Sequence, residues 1–176
     1  TLSNLGGTHS SSDGVQTVGF QRLGLSAADL LPVSLMTPEE VAKWWESLSD
    51  DERDRLKKNS SLFVGNLNGV PFEDRISANA ETAKRYLHDD GISKDEKEYW
   101  KAVVDGTVKL VVLDKEHHRI VEMLGEIGPD TSQVITYVPG TTTRFRDFYS
   151  GDVKNVPGYL AKQLPGSVVF VYKDFS

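Results

Sequence analysis

The chain has 176 residues, with 20 Lys plus Arg against 26 Asp plus Glu, and a formal net charge of −6. That length predicts one domain, or one domain and a tail, and 38% hydrophobic residues are enough for a core. An acidic chain without a basic stripe argues against nucleic acid, the lack of cysteine removes disulfides, thiol catalysis and thiolate metal sites, and the longest apolar run, Val168 to Tyr172, is far too short to span a membrane.

Residues 1–36 are rich in Gly and Ser and read as a flexible arm, with a short strand over Val15 to Leu25. The chain opens at Thr1 without a basic-then-apolar signal segment, which suggests a processed or cut piece of a longer protein. Residues 37–106 form a helical region. Thr37-Pro38-Glu39-Glu40 is a capping box with Pro at the first helical position, followed by an apolar stripe of Val41, Trp44, Trp45 and Leu48. Ser49 to Glu52 is a second capping box, with Lys57 and Lys58 at the far end of its helix. Ser60 to Pro71 is rich in turn residues. A third helix is expected over Glu73 to His88, with Ile76, Ala80, Ala83 and Leu87 on its buried face. Ser93 to Glu96 is a third capping box, opening a helix that buries Trp100 and Val104 and stops at Gly106.

Residues 107–176 change character. Val108 to Leu113 and Ile120 to Ile127 read as a hairpin around a polar turn at Asp114 to His118. Val134 to Val138 reads as a strand buried on both faces. A helix over Asn155 to Leu164 and a strand over Val168 to Tyr172 complete a βαβ crossover, so those two strands should be parallel. The expected fold is α/β: a mostly parallel sheet with one hairpin, preceded by helices and incomplete. In it Val168 to Tyr172 is an exposed apolar edge unless a partner chain or a missing C-terminal half covers it.

The loop Pro139 to Thr143 is the best candidate for chemistry. It sits at the carboxyl end of a parallel strand, where open α/β sheets hold their ligands. Gly140 allows close approach of a ligand, and Thr141 and Thr142 with the local amides suit an oxyanion; Arg144 and Arg146 stand nearby. A phosphate-binding loop is a further possibility for the same residues, and a plain strand-ending turn is the bland one. His117 and His118 are adjacent and so point apart, which does not favour a metal site. No metal or cofactor is expected. No G-x-S-x-G elbow is present: Ser26 and Ser93 give partial matches, and Ser93 is better explained as a helix cap.

The order Trp44-Trp45, Leu48-Ser49, Glu52-Arg53, Leu56, then Gly65-Asn66-Leu67-Asn68-Gly69-Val70-Pro71, Arg75, Ala78-Asn79 and Tyr137-Val138-Pro139-Gly140-Thr141-Thr142-Thr143 resembles an actinobacterial α/β-hydrolase family of uncharacterised function. The resemblance covers about residues 37–175. It implies a serine hydrolase acting on an ester, lipid or similar acyl bond, with Ser, Asp and His in that chain order. The nucleophile elbow would follow the strand after Val168 to Tyr172, so this segment would hold no catalytic residue and would be inactive alone. It would contribute the oxyanion-hole loop, mapped to Gly140, Thr141 and Thr142; Thr142 departs from the family, which often has Gly there. The alternative is a non-catalytic interaction module or a subunit that completes a partner's sheet. The compartment, cytoplasmic or secreted, stays open.

Overall fold

The computed structural model describes residues 27–140 and 142–174. The strand expected over Val15 to Leu25 lies outside them, as does Ser26. The chain forms two compact units, Thr1–Leu35 and Met36–Ser176. Within the first, Ala27–Ser34 (α1) is helical, in the stretch expected to be an arm.

The second unit opens with two capped helices, α2 (Pro38–Ser47) and α3 (Asp50–Asn59). Both capping boxes are made in full, by Thr37 with Glu40 and by Ser49 with Glu52. A single turn of helix, α4 (Ser61–Val64), leads to the Gly65–Pro71 turns and to α5 (Phe72–Tyr86). Asp74 on α5 accepts the Trp45 indole N–H at 2.8 Å and pairs with Lys57 at 3.0 Å, tying α2 and α3 to α5. Of the expected apolar stripe on α5, Ala83 is fully buried and Ile76 and Leu87 are partly buried against the core, and the buried face also carries Arg75, Ala78, Asn79 and Thr82. The buried polar side chains find partners, Thr82 sharing a 2.7 Å hydrogen bond with Ser61 and Asn79 donating to backbone carbonyls, while Asn79 Oδ1 has no hydrogen-bond donor among the described residues.

α6 (Lys94–Val104) is capped by Ser93, which accepts from the Glu96 amide at 3.1 Å. The expected return arm of its capping box is replaced. The Glu96 carboxylate instead accepts from the Trp100 indole at 3.1 Å and from Lys115 at 2.9 Å.

Four strands follow: β1 (Lys109–Asp114), β2 (Arg119–Leu124), β3 (Gln133–Tyr137) and β4 (Ser167–Asp174). They form one mixed sheet in the order β1-β2-β4-β3. The hairpin and the β2–β4 pairing are antiparallel, and β3–β4 alone is parallel. The fold is therefore mixed α/β with a mostly antiparallel sheet, a correction to the expected mostly parallel one. The cause is that β4 inserts beside β2, which runs opposite to it.

That insertion also reverses the expected edge. β4 is interior, with Val168, Val169 and Val171 fully buried. β3 is the edge, and it is not buried on both faces: Val134 is 64% and Val138 56% exposed. The crossover between them also holds more than one helix. It contains α7 (Phe145–Ser150), a 3-10 turn at Asp152–Lys154 and α8 (Asn155–Gln163).

The opposite edge is sealed by side chains. Asn66 bonds the β1 backbone at Leu113 twice, accepting from its N–H at 2.9 Å and donating to its carbonyl at 2.8 Å. Asn79 donates to the carbonyls of Leu110 at 2.9 Å and Gly65 at 3.0 Å. The close approach requires glycine at position 65, since a Cβ there would lie 2.0 Å from Asn79 Oδ1. Gly65→Ala should therefore lower stability by more than about 2 kcal/mol. In a double-mutant cycle read by urea unfolding, Gly65→Ala with Asn79→Ala should fall short of additivity by about 1 kcal/mol, because the second change removes the clash.

Candidate functional site

Because β1, β3 and β4 all run the same way, their carboxyl ends lie at one end of the sheet. That end carries the Asp114–His118 turn, the loop after β3 and the last residues of β4. The loop leaves β3 at Tyr137, whose ring packs on the core containing Trp100, Phe148 and Val171. Pro139 is buried, while Gly140 is exposed with no atom within 4 Å of where a side chain would sit. The Gly140 carbonyl accepts from the Thr143 amide at 2.9 Å, closing a turn. Thr142 is exposed in that turn, and Thr141 lies outside the described residues. Of the three expected site residues, then, Gly140 and Thr142 stand on one exposed loop at the carboxyl end of a parallel strand.

The loop runs directly into α7. Asp147 accepts from the Arg144 amide at 2.6 Å, and its other oxygen is 3.7 Å from Arg146 Nε. Phe148 anchors the helix in the core with no exposure. A carboxylate thus already occupies the entrance of α7, where a phosphate would have to sit, which disfavours phosphate binding by this loop. Asp147 carries no capping-box signal in the sequence because its helix lacks a Ser or Thr at the N-cap; an acid three residues into a helix is its only trace.

The hairpin turn reaches the same region. His118, at φ 54°, presents its ring edge to Phe145 at the start of α7, with centroids 6.3 Å apart. His117 is exposed and pairs with Asp114 in its own turn at 2.8 Å. Among the described residues no three His, Asp or Glu side chains gather to hold a metal ion.

The Gly65–Pro71 motif is structural in its visible contacts. Asn66 serves the β1 edge, and Asn68 Oδ1 accepts from Arg75 at 3.4 Å. Arg75 is 6% exposed, and burial, with Arg119 adding like charge, lowers its pKa to about 10. It stays a cation at neutral pH.

The chain is similar to uncharacterised proteins of Mycobacterium tuberculosis from two strains, each 34% identical over 84 residues. The relatives are actinobacterial. The match covers 44% of this chain and 13% of each relative, so the chain spans a small part of their length. No protein-family model matches the chain, and no solved structure matches it. Among the described residues no helix is long and apolar enough to cross a membrane.

Asp147→Ala should cost about 1 kcal/mol in urea unfolding, the usual loss when a helix N-terminus is uncapped. It should also speed exchange of the Arg144 amide more than that of amides in β4.

Proposed function

We propose that this chain is the first part of a serine α/β-hydrolase sheet, and that it supplies the oxyanion-hole loop for hydrolysis of an ester or other acyl bond. The observation that carries this is the position of Gly140: exposed, open to a ligand, and on the turn between a parallel strand and a helix at the carboxyl end of the sheet. In such enzymes a backbone N–H from that turn meets the negative oxygen of the tetrahedral intermediate, together with the amide that follows the nucleophile. A second support is the outer edge of β3, which no other described strand pairs and which offers an uncharged, mostly apolar row from Val134 to Val138 to a neighbouring parallel strand. That neighbour would bear the nucleophile elbow. The substrate would be a small ester or lipid, with the base and acid of the triad supplied from outside these residues.

The alternative is an interaction module that completes the sheet of a partner chain, and the same edge favours it. Activity separates the two. The 176-residue chain alone should not hydrolyse short p-nitrophenyl esters. The longer polypeptide that contains it should do so through a G-x-S-x-G serine, and Gly140→Val there, by filling the space beside the loop amides, should lower kcat/KM by about 10²–10³, the scale of losing one oxyanion donor. Saturable turnover by the short chain, or a longer polypeptide with no such serine, would defeat the hydrolase proposal.

A further inference from the structure

β2 is an apolar strand with a carboxylate at its centre. Glu122 is 2% exposed, and its neighbours across the sheet are Leu110 on β1 and Val171 on β4. Val171 in turn lies opposite Tyr137, the last residue of β3 before the Gly140 loop. A buried carboxylate demands partners. Oε2 accepts from the Tyr99 hydroxyl of α6 at 3.2 Å, and Oε1 lies 3.3 Å from the Lys154 ammonium.

Lys154 comes from outside the sheet, at the end of the 3-10 turn that follows α7. Gly151, at φ 83°, turns the chain there, and its carbonyl accepts from the Lys154 amide at 3.0 Å. The ammonium also lies over the Tyr99 ring, 5.5 Å from its centroid. The chain is thus fastened at two places around the loop: before it by the Tyr137–Val171 pairing, and after it by a lysine driven into the middle of the sheet.

We propose that Glu122 and Lys154 form a latch that positions the Gly140–Thr142 loop by holding α7 and its 3-10 turn against the sheet. The latch stands on its own contacts; its service to an oxyanion hole rests on the hydrolase proposal. Both are positioning residues, since neither reaches the loop itself.

Burial is the largest influence on the Glu122 carboxyl and raises its pKa, with Lys154 and Tyr99 pulling against it. The Tyr149 ring of α7 packs at a tilt against Tyr99, with centroids 5.3 Å apart, and burial raises the pKa of both hydroxyls, which keeps them neutral. A carboxyl whose pKa is raised by folding binds its proton more tightly in the native state. Its contribution to stability is therefore full below the ordinary carboxyl pKa and declines as pH rises through the raised value. The latch has the opposite dependence, because Lys154 is held only by the ionised form. Global stability and local fastening should separate as pH changes.

The test is amide exchange by NMR on the 176-residue chain, comparing Phe145 to Lys154 with the core amides of β2 and β4. At pH 7, Glu122→Gln should speed exchange in the first set roughly tenfold while the β2 and β4 amides and the unfolding midpoint hold or improve. Lys154→Met should free the same segment, Lys154→Arg should restore it, and Glu122→Gln with Lys154→Met together should loosen it no further than either alone. In the wild type, loosening of this segment should grow as pH falls below that of Glu122 ionisation. Unchanged exchange in both single variants, or an increase spread evenly through β2 and β4, would overturn the latch. If Glu122→Gln fails to fold, Lys154→Met against Lys154→Arg decides alone, and identical behaviour of those two would also overturn it. Failure of the hydrolase proposal would leave these rates as they are and would show only in the activity of the longer polypeptide.

Discussion

The structure depends on how two asparagines meet the outer edge of β1. A strand edge carries unpaired N–H and C=O groups that must be satisfied somewhere. Asn66 imitates a neighbouring strand at Leu113, donating and accepting as a peptide would, and Asn79 serves the Leu110 carbonyl from α5. Because Asn79 also holds the Gly65 carbonyl, the turn, the long helix and the sheet are joined through one side-chain amide. The helical region is therefore the lateral wall of the sheet, not an appendage to it. Asp74 extends the same wall outward by collecting Trp45 and Lys57.

From this wall inward, the sheet becomes more open toward the candidate loop. β2 and β4 are buried, β3 is half covered, and Gly140 is exposed. The strand order gives the loop a packed side and an accessible one. Aromatic packing supplies the rigid side: Tyr99, Trp100, Phe145 and Tyr149 form a chain of ring contacts at 5.2–6.2 Å beneath α7. Lys115 lies 4.7 Å from the Tyr86 ring centroid and joins the hairpin to the same cluster.

Local signals were the legible part of the sequence. Thr37, Ser49 and Ser93 each cap a helix because the chemistry of a cap lies within four residues. The hairpin and the parallel β3–β4 pair follow from spacing and connection rules in the same way. What could not be read was which strand takes the middle. Val134 to Val138 and Val168 to Tyr172 are almost equally apolar, and only the pairing of β4 with β2 decides which is buried. The Gly65–Pro71 motif stood out by composition, yet its job is set by Leu113, 47 residues beyond Asn66, and by Asn79, which holds the Gly65 carbonyl. Glu122 and Lys154 carried no signal at all, since an acid in a strand and a lysine in a turn both look solvated until the fold brings them together. At the loop, Gly140 and Thr142 are exposed, and Asp147 carries no sequence signal because no Ser or Thr stands at the start of its helix.

The two borders of the sheet are unlike, and that asymmetry limits how the molecule can grow. At β1 the hydrogen-bonding groups at Leu113 are consumed internally, so an incoming strand finds them spoken for; at β3 no described strand takes up the outer ladder. Strand addition is thus one-sided. A single guest strand, or a twin joined border to border, would exhaust the available ladder, and an endless cross-strand filament would have no second face from which to propagate.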